Sequence, residues 1–289
     1  MTENGKELRF GPVLCVFLAS VAFSTGGLLI KLIPWSGLAI NGARNLIGAA
    51  VIGLYMLVTG HKPIFNRTVA IGALSLMSVT TTFALANKMT TAANAIVLQF
   101  TAPVFVILLM ALLYHNRPRR ADILTCAAVL LGVVLFFIDG IQAGNLAGNA
   151  IAVLSGICYA GVFMMNTGKN ADALSSSFWG ELTAGVLLTP LCFRETDFSA
   201  PTLLAVAALG VIQVGGAYIL FSEGIKNTPA VSASLIAGLE PIMNPTWVAL
   251  FNGEMISGLS VIGSVIVIGA ILIYNLLMVG KDRRRTAAQ

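Results

Sequence analysis

One acidic residue, Glu240, lies in the middle of a long apolar run, with Pro241 directly after it and Pro245 one helical turn further on. An ionised carboxylate at the centre of a bilayer costs about 3 kcal/mol even on the scale that rates such residues most leniently. A carboxyl group in this setting can bind a proton, hold a substrate's ammonium group, or donate a hydrogen bond to a carbonyl freed by the proline. The residue types leave all three roles open.

Prolines inside apolar runs form a second group of candidates. Because proline has no amide hydrogen, Pro103 frees the carbonyl of Gln99 and Pro241 that of Ala237. Pro245 likewise frees the carbonyl of Pro241. The sequence therefore predicts kinks near mid-membrane in the two helices concerned. A kink of this kind is either a static bend or a hinge, and the matching positions of Pro103 and Pro241 favour a hinge.

Uncharged polar and aromatic side chains inside apolar runs form the third group. A single serine or threonine there is better explained by a bond between helices, worth under about 1 kcal/mol. Amide side chains near the middle of a helix are more typical of a wet cavity. We assign to a predicted substrate-binding cavity Thr80, Asn94, Gln99, Tyr159, Asn166, Gln213, Tyr218, Glu240, Asn244 and Trp247.

The composition shows what positions these residues. Of 289 residues, 57% are hydrophobic and 10% charged, and the mean hydropathy is +0.90, so a lipid bilayer is the expected surrounding. About 20 apolar residues cross a hydrocarbon core roughly 30 Å thick. Runs of this length predict an all-α protein with ten transmembrane helices at 10–33, 36–58, 67–87, 91–114, 120–138, 146–168, 174–193, 202–222, 229–251 and 258–279.

Basic residues in the short loops predict the orientation. With a cytoplasmic amino terminus, 13 of the 17 basic residues face the cytoplasm, and the outer segments carry only Lys31, Lys88 and Arg194. Both termini of this multi-pass protein of the cell's inner (plasma) membrane are therefore predicted to be cytoplasmic. Because orientation in the membrane accounts for the excess of basic residues, nucleic acid is not an expected partner.

An internal repeat divides the chain into two halves. Residues 83–103 align without a gap on 221–241, with Lys88 matching Lys226 and Pro103 matching Pro241. The sequence thus predicts two five-helix repeats, at 1–143 and 144–289. Because five is odd, the repeats cross the membrane in opposite senses, an architecture in which the site lies where the halves meet. Arg44 and Glu181 fall at near-equivalent positions, and we expect snorkelling or local partners for them rather than direct pairing.

The carboxyl-terminal half carries a recognisable set of motifs between residues 226 and 272. They are Pro-Ala-x-x-Ala-Ser at Pro229, Leu-x-Pro at Leu239, Gly-Glu at Gly253, and spaced glycines at Gly263 and Gly269. This pattern resembles the second repeat of the drug/metabolite transporter superfamily in its EamA-type ten-helix form. The first half resembles it less, since Asn116 and Cys126 replace a glutamate and a glycine of the pattern. Among such proteins the polar middle helices are most similar to aromatic amino acid exporters of the YddG type.

The resemblance implies a secondary transporter that works by alternating access. We expect it to export small amphiphilic metabolites, above all amino acids and among them aromatic ones. The alternatives are broad efflux of drugs and toxic metabolites or, from another class, a membrane-embedded enzyme. No metal-type cluster and no Gly-x-x-x-x-Gly-Lys nucleotide loop occurs in the sequence, so neither an enzyme nor a cofactor is expected. A monomer or weak homodimer is expected.

Overall fold

The computed structural model describes residues 10–115, 119–143, 145–166, 170–228 and 236–286. All regular secondary structure in these ranges is helical, which confirms the predicted fold class. The α-helices are α1 (Phe10–Ser24), α2 (Gly26–Leu32), α3 (Gly37–Thr59), α4 (Arg67–Met89), α5 (Ala92–Gln99), α6 (Ala102–Tyr114), α7 (Arg120–Ala143), α8 (Leu146–Asn166), α9 (Ala173–Leu188), α10 (Ala200–Ala208), α11 (Ala217–Asn227), α12 (Glu240–Asn252) and α13 (Gly258–Thr286).

The α-helices outnumber the predicted runs because several runs are interrupted. Helices α1 and α2 together form the first span, and α5 and α6 together form the fourth. A π-helical segment, Leu209–Gly216, joins α10 to α11, and a 3-10 helix, Thr189–Arg194, continues α9. Within the described ranges, seven helical stretches are long and apolar enough to cross a membrane, and Gly258–Tyr274 is a shorter apolar helix.

Side-chain caps explain where several helices begin. Ser36, Asn66 and Thr91 each accept a hydrogen bond from the amide three residues later, which satisfies a donor that the first helical turn leaves free. At the opposite ends, Gly60 after α3 and Gly253 after α12 have φ values of 71° and 67°. Glycine adopts this left-handed conformation without a steric penalty, so these residues end their helices sharply.

Helix pairing follows the two-fold relation between the halves. Helix α4 packs along α8, and its counterpart in the second half, α11 with the π-helical segment, packs along α1. Two further extensive contacts, α3 with α9 and α7 with α13, each join a helix to its own counterpart, and the contact of α4 with α9 is matched by that of the π-helical segment with α3. Exchanging the halves therefore reproduces the same set of contacts, as expected for inverted repeats. The boundary between residues 143 and 144 stays a prediction.

Glycines allow α3 and α9 to touch along their backbones. A Cβ atom on Gly42 would lie 2.4 Å from the backbone carbon of Leu188, and one on Gly185 would lie 2.7 Å from the Cα of Leu46. Small residues at such crossings allow close packing of membrane helices, where apolar side chains alone give no preference for protein over lipid. The contact between α3 and α9 therefore depends on these two glycines.

Replacing Gly42 by Ala should destabilise the bundle by about 1–3 kcal/mol, because the added methyl group meets backbone atoms that cannot rotate away. Thermal unfolding of the purified protein in detergent measures the effect. Gly269→Ala is the matched control, since its Cβ would have no neighbour within 4 Å among the described residues. Equal stability of the two variants would show that the α3–α9 backbone contact is not tight.

Candidate functional site

The fourth span is interrupted directly before Pro103, where the sequence predicts a kink. The hydroxyl of Thr101 donates to the carbonyl of Leu98 at 2.6 Å and closes the break between α5 and α6. The break rests on Gly156 of α8, where a Cβ atom would lie 3.0 Å from the Leu98 carbonyl oxygen and 3.1 Å from that of Gln99. The Gln99 side chain donates to the Ser155 hydroxyl at 2.8 Å, so it fastens this break to α8.

The ninth span has a matching feature before Pro241. Helix α12 begins with Glu240 and Pro241, as α6 begins with Ala102 and Pro103, and Pro245 lies inside α12. Glu240 was predicted at the centre of a helix, but it occupies the first turn of α12. Backbone amides and the helix dipole favour negative charge at this position. The proline that follows explains the difference, because it starts a new helix instead of bending a continuous one.

Three predicted site residues lie close to one another within the bundle. The side chains of Tyr159 on α8, Tyr218 on α11 and Glu240 are enclosed by the bundle, yet each retains accessible surface. The charge of Glu240 is close enough to interact with both tyrosines. The ring of Phe23 meets that of Tyr218 edge to face at 5.0 Å between centroids. We call this group of partly exposed side chains, Phe23, Tyr159, Tyr218 and Glu240, the tyrosine cavity.

Two other predicted residues, Asn244 and Trp247, pack against the break between α1 and α2. Asn244 is fully buried, and neither its oxygen nor its nitrogen has a hydrogen-bond partner among the described residues. A Cβ atom on Gly27 would lie 2.1 Å from the Asn244 Oδ1 atom, so only glycine leaves room for this amide. The indole of Trp247 donates to the hydroxyl of Ser24 at 3.0 Å. The first span therefore breaks where α12 places polar groups.

Arg44 forms hydrogen bonds with two further predicted residues, an arrangement that the sequence did not indicate. Its guanidinium donates to Gln213 Oε1 at 3.2 Å, to the carbonyl of Thr80 at 3.1 Å, and twice to Asn41 Oδ1, at 3.2 and 2.9 Å. The side chain is 1% exposed, so local partners are confirmed for Arg44 and snorkelling was wrong. The ion pairs among the described residues do not include Arg44 with Glu181.

Asn94 is placed in a network between helices. Its nitrogen donates to the Thr90 hydroxyl at 3.3 Å and to Asn149 Oδ1 at 3.2 Å, and its oxygen accepts from the Ser260 hydroxyl at 2.8 Å. Asn94 is 1% exposed, and these bonds join α5 to α8 and α13. The side chain of Asn166, at the end of α8, lies outside the described residues.

The predicted outer ends of several helices are held together by an ion pair. Lys31 Nζ lies 3.0 Å from Glu254 Oε2, and it also donates to the carbonyl of Thr90 at 2.7 Å. Glu254 Oε1 accepts from the backbone amide of Ala92 at 2.6 Å. We call the Lys31–Glu254 pair with these two backbone contacts the outer latch. It connects the end of α2, the turn between α4 and α5, and the turn after α12.

A second charged contact lies on the predicted cytoplasmic side. His61 Nε2, in the segment between α3 and α4, lies 2.8 Å from Asp172 Oδ2, which caps the start of α9. Partial burial raises the pKa of the Asp172 carboxyl, but hydrogen bonds from Ser175 and His61 outweigh this and lower the pKa below its usual value. This contact joins the segment after α3 in the first half to the segment before α9 in the second half.

An apolar helical bundle with polar side chains buried between its helices is typical of an integral membrane transporter. The profile of the EamA-like transporter family matches the chain twice, at residues 11–138 and 146–276. The chain therefore belongs to the EamA-like transporter family, within the drug/metabolite transporter superfamily, as its motifs predicted.

Similar proteins span nearly the whole chain. The Bacillus subtilis transporter YwfM is 26% identical, over 91% of this chain and 93% of that protein. The Salmonella typhimurium inner membrane transporter YicL is 24% identical, over 95% and 97% respectively. A crystal structure with a TM-score of 0.63 covers 92% of this chain and 97% of its own at 19% identity, which shows a shared fold.

The outer latch predicts an energetic coupling between Lys31 and Glu254. Both side chains are 17% exposed, so the pair is neither a surface pair nor a fully buried one. Surface pairs are worth up to about 1 kcal/mol, and disrupting a buried pair costs about 3–5 kcal/mol. A double-mutant cycle with Lys31→Gln and Glu254→Gln, followed by thermal unfolding in detergent, should give a coupling of about 1–2 kcal/mol. Additive losses, or the same loss from the exposed control Lys62→Gln, would contradict a latch.

Proposed function

We propose that this transporter exports small amphiphilic metabolites from the cytoplasm, amino acids first among them and aromatic ones included. The observation that carries the proposal is the tyrosine cavity, which combines aromatic rings with a carboxyl group at a helix amino terminus. Aromatic rings offer large apolar contact surfaces and an attractive face for cations. A carboxyl group in the same space can hold a positive charge, either a proton or an ammonium group.

The polar groups around the cavity favour amphiphilic substrates over purely apolar ones. Gln213 and Asn244 face the two glycines that begin α2, and Arg44 holds Gln213 from the other side. A ligand that leaves buried polar groups without a hydrogen-bond partner binds less tightly than one that bonds to them. Broad efflux of apolar compounds would be better served by a cavity lined with aromatic and aliphatic side chains alone. No chemical conversion of the substrate is part of the proposal.

The proposed mechanism is alternating access between the two halves. The breaks before Pro103 and Pro241 occupy equivalent positions, and each leaves two helical segments that can change their relative angle. We propose Pro103 and Pro241, with Pro245 inside α12, as hinge residues. The proposed orientation places both termini in the cytoplasm, and labelling of an Ala287→Cys variant by an impermeant reagent in intact cells would contradict it.

Counterflow into liposomes tests the function. Proteoliposomes loaded with one unlabelled amino acid at a time should take up labelled amino acid with saturable kinetics, because a carrier must bind each molecule before moving it. Strong uptake of apolar cations with none of amino acids would replace this proposal by broad efflux. Unsaturable flux would indicate a channel, and the absence of all flux would reopen the enzyme alternative.

Replacing both Pro103 and Pro241 by Ala should slow counterflow at least tenfold, because continuous helices resist the change of angle that a broken helix allows. Initial rates in proteoliposomes measure the effect, with protein amount and thermal unfolding as controls for folding. Pro118→Ala is the matched control, since the sequence places this proline in a predicted loop. Wild-type rates in the double variant would remove the hinge proposal.

Replacing Glu240 by Gln separates the three roles open to this carboxyl group. We expect counterflow within about twofold of wild type and loss of the dependence of net export on the pH gradient. The reason is that Gln keeps the shape and hydrogen bonding of the carboxylic acid but carries no exchangeable charge. A tenfold or greater loss of counterflow would instead assign Glu240 to the substrate's ammonium group. Wild-type behaviour in both assays would make it a structural residue.

A further inference from the structure

A second pair of charged side chains, Arg44 on α3 and Glu181 on α9, lies buried beside the tyrosine cavity. Glu181 is 0% exposed, and neither of its carboxylate oxygens has a hydrogen-bond partner among the described residues. Withdrawing a carboxylate from water costs several kcal/mol unless hydrogen bonds or an opposite charge compensate. Packing alone therefore does not explain this side chain, and its oxygens are available to a ligand that donates hydrogen bonds.

Arg44 presents the complementary situation. Within the part of the chain that the structure describes, its hydrogen bonds go to neutral acceptors, the Asn41 and Gln213 side chains and the Thr80 carbonyl, and no anion contacts it directly. Four of its five donors are thereby used, and one Nη1 hydrogen is left. The charges of Arg44 and Glu181 are close enough to interact with each other and with Tyr218. Tyr218 in turn borders the tyrosine cavity, which connects this pair to the proposed transport site.

The register of α3 against α9 gives the distance along the helix axes between residues 44 and 181. Gly42 meets Leu188, and Leu46 meets Gly185, so the two antiparallel helices place residue 44 level with about residue 187. Glu181 is six residues from that level, which corresponds to about 9 Å at 1.5 Å per residue. The ammonium nitrogen and a carboxylate oxygen of an α-amino acid lie about 3 Å apart. Adding a charge-assisted hydrogen bond of about 2.8 Å at each end gives about 8.6 Å, a length comparable to this offset along the helix axes.

We propose that Arg44 and Glu181 bind the charged head group of a zwitterionic substrate, Arg44 its carboxylate and Glu181 its ammonium group. This rests on the proposed function and narrows its substrate to compounds that carry both charges, with the side chain of the substrate in the tyrosine cavity. A zwitterion neutralises both buried charges at once, whereas an amine or an acid alone leaves one of them uncompensated. Glu240 then remains free to bind a proton.

Competition for counterflow by three related ligands tests the assignment. The ligands are phenylalanine, the amine that lacks its carboxylate and the acid that lacks its ammonium group. Wild-type protein should bind phenylalanine at least tenfold more tightly than either analogue, because each analogue loses one charge-assisted bond. Glu181→Gln should weaken the binding of phenylalanine and of the amine at least tenfold and leave the binding of the acid within about twofold of wild type. General misfolding does not produce this pattern.

Arg44→Lys provides the second, independent arm, since it keeps the charge but loses the Nη1 hydrogen that is left for a carboxylate. This variant should weaken the binding of phenylalanine and of the acid and leave the binding of the amine unchanged. Glu195→Gln, a carboxyl that bonds Ser36 in a predicted outer loop, is the matched control and should preserve the ranking of the ligands. Equal effects of Glu181→Gln on all three ligands, or none, would overturn the assignment while leaving amino acid transport intact. Absence of counterflow in wild-type protein would overturn the proposed function itself.

Discussion

A guanidinium buried within a membrane bundle must obtain every hydrogen bond from the protein, because neither lipid nor bulk water is there to supply one. Arg44 meets this constraint through α3 itself, α4 and the π-helical segment of the eighth span. The bond to Gln213 joins α3 to the π-helical segment that leads into α11, the helix that carries Tyr218. The central polar groups of the protein are thus arranged around one charge that cannot reach the surface.

Irregular backbone collects on the same side of the bundle. The break between α1 and α2 meets the π-helical segment and α12 at Gly26 and Gly27, where the amide side chains of Gln213 and Asn244 approach the backbone. Interrupted helices inside a membrane are tolerated when they are enclosed by protein or border a cavity, and π-helical turns often mark functional positions. The counterparts of α1 and α11 in the other repeat, α8 and α4, are continuous. The two repeats therefore share a topology but differ in which helices are broken.

The fold follows from the sequence by direct physical rules, because the length of an apolar run and the matching of the repeats do not depend on tertiary contacts. The site depends on contacts between residues that are distant in the sequence, and local sequence patterns do not predict such contacts. Arg44 bonds Gln213 across 169 positions, and Ser260 bonds Asn94 across 166. Glu181 was visible as a charge in an apolar run, yet its lack of a partner appears only when α9 is packed. Pro241 could have shown that a helix begins at Glu240, since proline favours the first turn of a helix.

The central claim is that the tyrosine cavity is one site that opens to each face in turn. A Tyr159→Cys variant, with Cys15, Cys126, Cys158 and Cys192 replaced by Ser, tests it by labelling with an impermeant thiol reagent in vesicles of known orientation. With the outer latch closed, the reagent should react from the cytoplasmic face and not from the outer face. Adding Glu254→Gln, which removes the latch charge, should make the same cysteine react from outside. Labelling from the cytoplasmic face alone in both variants would contradict a site that opens to each face in turn.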